Sequence, residues 1–385
     1  MSPIIRAISW GTFPGEGDMA CRVAIVTWTP GEEVGLAIRD GLCDLGFQTG
    51  FFEAGGAVAK GVDVVFSFGP SGRLLPVLRQ LRDVPLGERP LFVHWNTEQI
   101  PDLRIPWEVV TRLGALRSWA ERLYDRFPFL WQMPVLARAP DKMTRFRYVG
   151  DYHYAYRQGW LDLLVESSEI YASLYRRHGL DVLFVPWGTA AAWYDDVDIE
   201  RDIDVLWMGK RRTKRRSRWI DRIRSQLAAR GLTMCVVDNV ERPFVYGAER
   251  TELLNRSKIT LNLLPRWHDD AFSYRFHVAA GNRSLIVSEP IVPHCSVYCA
   301  GVHYVSAPAE SMVDTLVYYL EHDPERQAIT DAAYRLVTER MTFSSSVRAI
   351  MEAVDELYRG GSGSRLALPV SSGAVGPRQM RSHHL

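Results

Sequence analysis

The sequence predicts an α/β protein of two parallel-sheet units, and three observations carry that expectation. Apolar strand-like runs alternate with helix-period segments from residue 21 to residue 95, and the alternation starts again at residue 203. Between them stands PWGTAAAWYDDVDIERD (Pro186–Asp202), a break rich in Pro, Gly and acid. A chain of 385 residues also exceeds what one small core organises and suits two.

The elements follow in order. CRVAIVTWT (Cys21–Thr29) is a buried-type strand, and Val34, Ile38, Leu42 and Leu45 then recur at helical spacing until Gly46. Phe47–Phe52, Val62–Phe68 and Pro90–Trp95 read as further strands, with a helix over Leu74–Leu81. Residues 104–160 are rich in aromatics and arginine and are expected to hold helices and long loops. Leu161–Val165 and Val182–Val185 are short strands around a helix from Ser168 to His178. The second unit opens with the strand Ile203–Met208. A basic helix (about Ser217–Arg230), a strand (Leu232–Val237) and a helix (Gly247–Asn255) follow. Ile259–Leu263, a helix opened by Ser273 and stopped by Gly281 and Asn282, and Ser284–Ser288 complete it. Three terminal helices are expected over Met312–His322, Pro324–Arg340 and Ser344–Arg359. The expected organisation is a disordered leader (1–19), a first Rossmann-like domain (20–186) and a linker (187–202). A second Rossmann-like domain (203–340), a terminal helix (341–359) and a disordered tail (360–385) follow. Met19 is an alternative start.

The bulk numbers exclude several classes. A formal net charge of +1 makes the molecule as a whole no polyelectrolyte partner, so any electrostatic function must come from local clustering. The five cysteines form no CxxC pair, and the CxxxC of Cys295 and Cys299, near His294 and His303, reads as buried thiols rather than a metal site. No apolar run reaches the roughly 18 residues of a spanning helix, and the N-terminus lacks a signal pattern, so a cytoplasmic location is expected.

In a parallel sheet, ligands bind at the carboxyl ends of the strands. Two domains facing across a cleft would place His94, Asn96 and Glu98 at one such edge. Gly209, Lys210, Asn262, Arg275, Ser288 and Glu289 would lie at the other. GKRRTKRRSRWIDRIR (Gly209–Arg224) follows a strand directly. Its glycine admits close approach to the backbone, and the basic residues behind it can neutralise a diphosphate; most of them must still be solvated surface. Arg275, in the first turn of a helix, suits a phosphate, or pairs with Asp269, Asp270 or Glu289. Glu289 would accept from ribose hydroxyls or cap its turn. In VHWNTEQIP (Val93–Pro101), His94 and Glu98 have the spacing to take a proton from an acceptor hydroxyl, or to bond within a tight loop. His277 reads as packed.

The second half resembles the CgeB-like (spore-maturation-type) glycosyltransferases of the two-domain GT-B superfamily. The resemblance rests on LDLLVESSEIYASLYRRHGLDVLFVPWGT, IDVLWMGKRRTKRR, ELLNRSKITLNLLPRWHDD, SYRFHVAAGNRSLIVSEP and GVHYVSAPAESMVDTLVYYLEHDPERQAI, in the family's order over about Leu161–Thr330. It implies transfer of a sugar from a nucleoside-diphosphate sugar to an acceptor hydroxyl, with no resident metal or other cofactor. Onto this chain it carries Gly209 with the basic residues after it (Lys210, Arg211, Lys214 and Arg215), Arg275 and Glu289 as donor-side residues; Trp187, Gly188, Tyr274 and Ser288 are further donor-side candidates beside them. His94 and Glu98 are the candidate bases. The acceptor is open among glycan, protein, small molecule and nucleic acid. The chain departs from the family in one place: the paired glutamates of many retaining members are spaced EX7E, and Gly281 stands eight residues before Glu289. Two other readings remain: a nucleic-acid binder using the Lys210–Arg224 patch with Trp219 interleaved, and a nucleotide-sugar epimerase on the same fold.

Overall fold

The computed structural model describes residues 21–27, 31–53, 61–69, 74–82, 84–85, 88–97, 101, 104–127, 144–195, 197–211, 213–264, 274–291 and 297–360. The first domain carries β1 (Arg22–Thr27), α1 (Glu33–Asp44), β2 (Gln48–Glu53), β3 (Val64–Phe68), α2 (Leu74–Arg82) and β4 (Leu91–Asn96). It continues with α3 (Trp107–Arg126), α4 (Thr144–Arg157), β5 (Leu163–Glu166), α5 (Glu169–Arg177) and β6 (Val182–Phe184). Its six strands run parallel in the order β2-β1-β3-β4-β5-β6. Strands such as VVFSF are buried along their whole length, as a sheet covered on both faces requires.

The second domain holds β7 (Ile203–Met208), α6 (Lys214–Ala228), β8 (Met234–Val237), α7 (Gly247–Asn255), β9 (Ser257–Asn262), α8 (Tyr274–Gly281), β10 (Leu285–Ser288) and β11 (Val305–Ser306). After these come α9 (Met312–Glu321), α10 (Asp323–Arg335), which continues as a π-helical turn over Leu336–Arg340, and α11 (Phe343–Gly360). The strand order is β11-β10-β9-β7-β8, again parallel. The basic helix starts earlier than its apolar period suggests. Thr213 caps it by accepting from the Arg216 amide at 3.2 Å, which puts Lys214 and Arg215 on the first helical turn.

The strand order reverses between β1 and β3 in one sheet and between β7 and β9 in the other. Such a reversal opens a crevice at the carboxyl edge. The two edges meet, because Glu33, which opens α1 beyond β1, bonds Gly247 and Tyr274, which open α7 and α8 beyond β8 and β9.

The chain crosses between the domains twice. Thr189 on the outward crossing forms a parallel bridge with Thr342 on the return. A Cβ on Gly188 would lie 2.2 Å from the Thr342 carbonyl carbon, so only glycine lets the crossings touch. Trp187 stacks on Trp95 at 5.5 Å, and Phe343 packs edge-on against Trp95, Trp187 and Trp193. The return places α11 on the first domain. A Cβ at Gly41 of α1 would touch Val347 at 3.3 Å, and Tyr358 Oη donates to the Asp63 carbonyl at 2.7 Å. The last described helix thus ties the first domain to the second.

Candidate functional site: an arginine at the β7/β9 crevice

Arg275 sits in the first turn of α8 and spans the crevice at the strand-order reversal. Its Nε and Nη2 donate to the Met208 carbonyl at the end of β7, at 3.0 and 2.6 Å, and its Nη1 donates to Asn262 Oδ1 at the end of β9. The guanidinium lies 4.5 Å from the centroid of the Trp207 ring, and the Arg216 guanidinium lies 5.4 Å from that same ring. These hydrogen-bond partners of Arg275 are neutral. Burial first, and then the Arg216 charge, push its pKa down to about 9. The cation is thus held by dipoles beside a second cation, an arrangement that an incoming anion relieves.

Gly209 completes this edge. Its φ is +136°, and a Cβ there would lie 2.5 Å from Arg275 Nη2. Glycine therefore serves the backbone and leaves the guanidinium its place.

The other predicted donor-side residues divide into groups. Arg211 is consumed by carboxylates, donating to Asp238 at 2.5 Å, Asp221 at 2.6 Å and Glu241 at 2.5 Å. Arg215 donates to both carboxylate oxygens of Glu289 and, at 3.1 Å, to the Leu264 carbonyl. Glu289 also accepts from the Leu264 amide at 2.7 Å, so its carboxylate ties the segment after β10 to that after β9 rather than capping its own turn, and its cation is Arg215 rather than Arg275. Ser288 accepts from Asn262 Nδ2 at 2.9 Å and donates to the Glu289 carbonyl at 2.7 Å, which ties the ends of β9 and β10 together. Lys210 and Lys214 are exposed at the loop and the helix start. Trp187 and Gly188 do not reach this edge; they belong to the domain crossing.

Tyr274 faces the first domain. Its hydroxyl donates to Glu33 Oε2 at 2.7 Å, Arg250 Nη1 donates to the same oxygen at 2.7 Å, and its ring meets Trp193 edge-on at 4.7 Å. Arg250 is 4 % exposed, with Nε and Nη2 lacking a hydrogen-bond partner, so Glu33 is its principal counter-charge. Burial opposes ionisation of Glu33, but the bonds from Tyr274, Arg250 and Gly247 prevail and hold its pKa below the ordinary value. This is a polar latch between domains, and sequence spacing gave no sign of it. A cavity of ≈ 400 Å³ opens beside it, lined by Glu33, Ala37, Trp193, Gly247 and Phe343 among others. It marks the domain junction rather than the chemistry around Arg275.

His94 departs from its expected place. It lies within β4 with 0 % exposure, not at a cleft wall. Nδ1 is 3.1 Å from Ser67 Oγ, and Nε2 is 3.1 Å from Tyr152 Oη. Tyr152 donates to Asn96 Oδ1 at 2.9 Å, and Asn96 Nδ2 donates to Glu166 Oε2 at 2.6 Å. With the tyrosine proton on Asn96, His94 must donate from Nε2 and accept at Nδ1. Burial pushes its pKa down to about 3. The ring is a link in a buried chain, with both nitrogens engaged and no exposed surface. Glu98, its companion candidate, lies outside the described residues, as do Arg212, Ser273, Asp269, Asp270, His294 and Cys295.

Gly281 explains the missing acid of the EX7E pair. A Cβ there would lie 2.9 Å from the Tyr194 Cβ, so the linker occupies the space a glutamate side chain would enter. His277 is buried and lies 2.8 Å from Thr189 Oγ1 through Nδ1, a packing position. Among the described residues no cluster of His, Cys, Asp and Glu could hold a metal ion, and no helix is long and apolar enough to cross a membrane.

Two parallel Rossmann-like sheets with apposed carboxyl edges and a returning terminal helix define the GT-B architecture. Residues 190–352 match the family described as Glycosyl transferase-like. The fold is similar to sucrose-phosphate synthase from Thermosynechococcus elongatus, with a TM-score of 0.57 at 9 % identity over 88 % of this chain and 100 % of that one. It is also similar to Anabaena HepE in complex with UDP, with a TM-score of 0.53 at 10 % identity over 88 % and 100 % of the two chains. HepE in complex with UDP-glucose aligns equally well, at 0.53 and 10 % over 87 % and 99 %. At such identities the likeness establishes the fold. No curated protein sequence matches the chain. The CgeB-like branch is not distinguished by these matches.

Proposed function

We propose that the protein is a glycosyltransferase that moves a sugar, of hexosyl type, from a nucleoside-diphosphate sugar to an acceptor hydroxyl. The observation that carries the proposal is the neutral-partnered, half-buried Arg275 across the β7/β9 crevice, with Gly209 and Arg216 beside it. In the reaction the bond between the sugar C1 and the diphosphate oxygen breaks, and its electrons remain on the diphosphate. The acceptor oxygen bonds to C1 and loses its proton. Positive charge at the place where negative charge grows lowers that barrier, and Arg275 supplies it at the N-terminus of α8. The match of residues 190–352 and the UDP and UDP-glucose complexes of HepE support a nucleotide-sugar donor on this domain. The proposal needs no resident metal or other cofactor, because guanidinium groups take the diphosphate charge. His94 and Glu98 are not carried into it, and the acceptor base is left unassigned.

The structure weakens the nucleic-acid reading. Arg211, Arg215 and Arg224 of the basic stretch are paired with carboxylates, and Arg216 is buried on Trp207. A polyanion would meet only what remains of that charge, chiefly the exposed Lys210, Lys214, Arg218 and Arg222.

A thermal-shift panel of nucleoside diphosphates and nucleotide sugars, run with and without EDTA, tests the proposal. A rise in melting temperature that survives EDTA and is lost in Arg275→Ala is expected. No shift from any nucleotide at millimolar concentration would sink the reading.

A further inference from the structure

The first domain carries an exposed apolar helix face that the donor site does not use. Along α3, Arg112, Leu116, Trp119 and Leu123 recur at i, i+4, i+7 and i+11 and therefore share one stripe. Leu116 is 58 % exposed and Trp119 52 % exposed, with Val109 and Phe127 exposed at the two ends of the stripe. The opposite face is occupied: Gly114 meets Gly150 of α4, where a Cβ on either would collide with the other's backbone, and Trp107 and Val110 enter the core. Single exposed apolar residues need no explanation, but several on one stripe, with a tryptophan among them, do. The charged groups along the stripe are mainly cations. Arg112 and Arg126 are exposed on it, with Glu108 near its start. Glu108 is itself turned to His178, at 3.8 Å.

We propose that this face of α3 seats the protein on a bilayer surface that carries anionic lipid. An interfacial helix needs apolar side chains to enter the acyl boundary and arginines to meet the headgroups, and α3 presents both. Tryptophan favours the headgroup level, where its ring is apolar and its N–H stays wet. The helix lies on the membrane rather than through it, because no described helix can span one. A second copy of the chain fits less well. An antiparallel isologous contact centred on Trp119 brings the Arg112 end of one stripe against the Arg126 end of the other, cation against cation, and one stripe of side chains falls short of the roughly 800 Å² per partner of a stable interface. The inference does not depend on the glycosyltransferase reading, since vesicle binding is measured without nucleotide.

The experiment is co-sedimentation of the full chain with phosphatidylcholine vesicles, with and without phosphatidylglycerol, at low and high salt, alongside light scattering of the protein alone. The expected result is binding only to the anionic vesicles, weakened by salt. Arg112→Gln and Arg126→Gln should each lower it by about fivefold. Leu116→Ser with Trp119→Ser should lower it further at an unchanged melting temperature, which shows that the fold is intact. Three results would overturn the proposal: wild-type protein left in solution with anionic vesicles, equal binding to both vesicle types, or a wild-type dimer that the Leu116/Trp119 variant makes monomeric.

Discussion

The two strand-end edges that face each other are built on opposite principles. Beneath the first domain's edge, Ser67, His94, Tyr152, Asn96 and Glu166 form a buried hydrogen-bond chain in which the histidine is neutral and enclosed. At the second domain's edge, Arg275 and Arg216 crowd two cations onto one tryptophan, and Arg275 is held by carbonyl oxygens. His94, Tyr152 and Asn96 find their hydrogen-bond partners within the buried chain. The second edge holds charge that an external anion would settle. One edge pairs its polar groups within the domain and the other leaves Arg275 without a carboxylate partner among its hydrogen bonds, even though the sequence puts polar residues at both.

Acid should break the first edge most strongly. His94 has a folded pKa of about 3 against an ordinary 6.5, so below 6.5 the unfolded chain binds a proton that the folded one refuses. Its contribution to stability is complete above pH 6.5 and falls by about 1.4 kcal/mol per pH unit as the pH drops towards the folded value. His277, also buried to about 3, adds a similar slope. Denaturant titrations at a series of pH values should show this decline, and His94→Asn should make it shallower.

The second edge should break at Arg275. Arg275→Ala is expected to weaken nucleoside-diphosphate binding by about 10–100-fold, the worth of its charged hydrogen bonds. Calorimetric titration measures this, and Arg275→Lys should recover only part of it. Glu166→Ala tests the first edge without acid. It leaves the buried Asn96 amide without its carboxylate and should cost about 2–3 kcal/mol in urea unfolding, with nucleotide affinity unchanged. Glu33→Ala removes the contact that joins the edges. About 1–2 kcal/mol is expected for this pair of a buried arginine and a partly exposed carboxylate, discounted from the buried-pair range. Because bonding lowers the Glu33 pKa, its stabilisation is full above the ordinary value of 4.5 and is lost as the pH falls through the folded one. The smallest effect is expected at Arg211, where alanine should leave nucleotide binding within about twofold of wild type, since carboxylates already hold that guanidinium. A large loss of binding at Arg211 would erase the contrast between the carboxylate-held Arg211 and the carbonyl-held Arg275.

Much of the fold was legible because its signals are local. The strand Ile203–Met208 and the helix Gly247–Asn255 lie where the apolar runs and breakers placed them. The helix around Arg275 was likewise expected, so its arginine could be named as a first-turn cation. The start of α6 was missed, because three charged residues precede its first apolar turn and only the Thr213 cap marks it. His94 was misplaced for a different reason. Alternation along PLFVHW does not say which face a helix will cover, and Tyr152 from α4 comes down on the histidine.

By itself the sequence determined the alternation of strands and helices, the break between two units, and an arginine at a helix start after a parallel strand. These follow from periodicity, capping and turn chemistry, which act over a few residues. Only the tertiary structure decided which arginines meet carboxylates and which meet carbonyls. Arg215 reaches Glu289 across 74 residues and Arg250 reaches Glu33 across 217, and such pairings exist only once the strand order and the return of α11 have brought distant segments together. Charge is written in the sequence, but its satisfaction depends on distance in space. That distance separates a structural arginine from one that can bind a ligand.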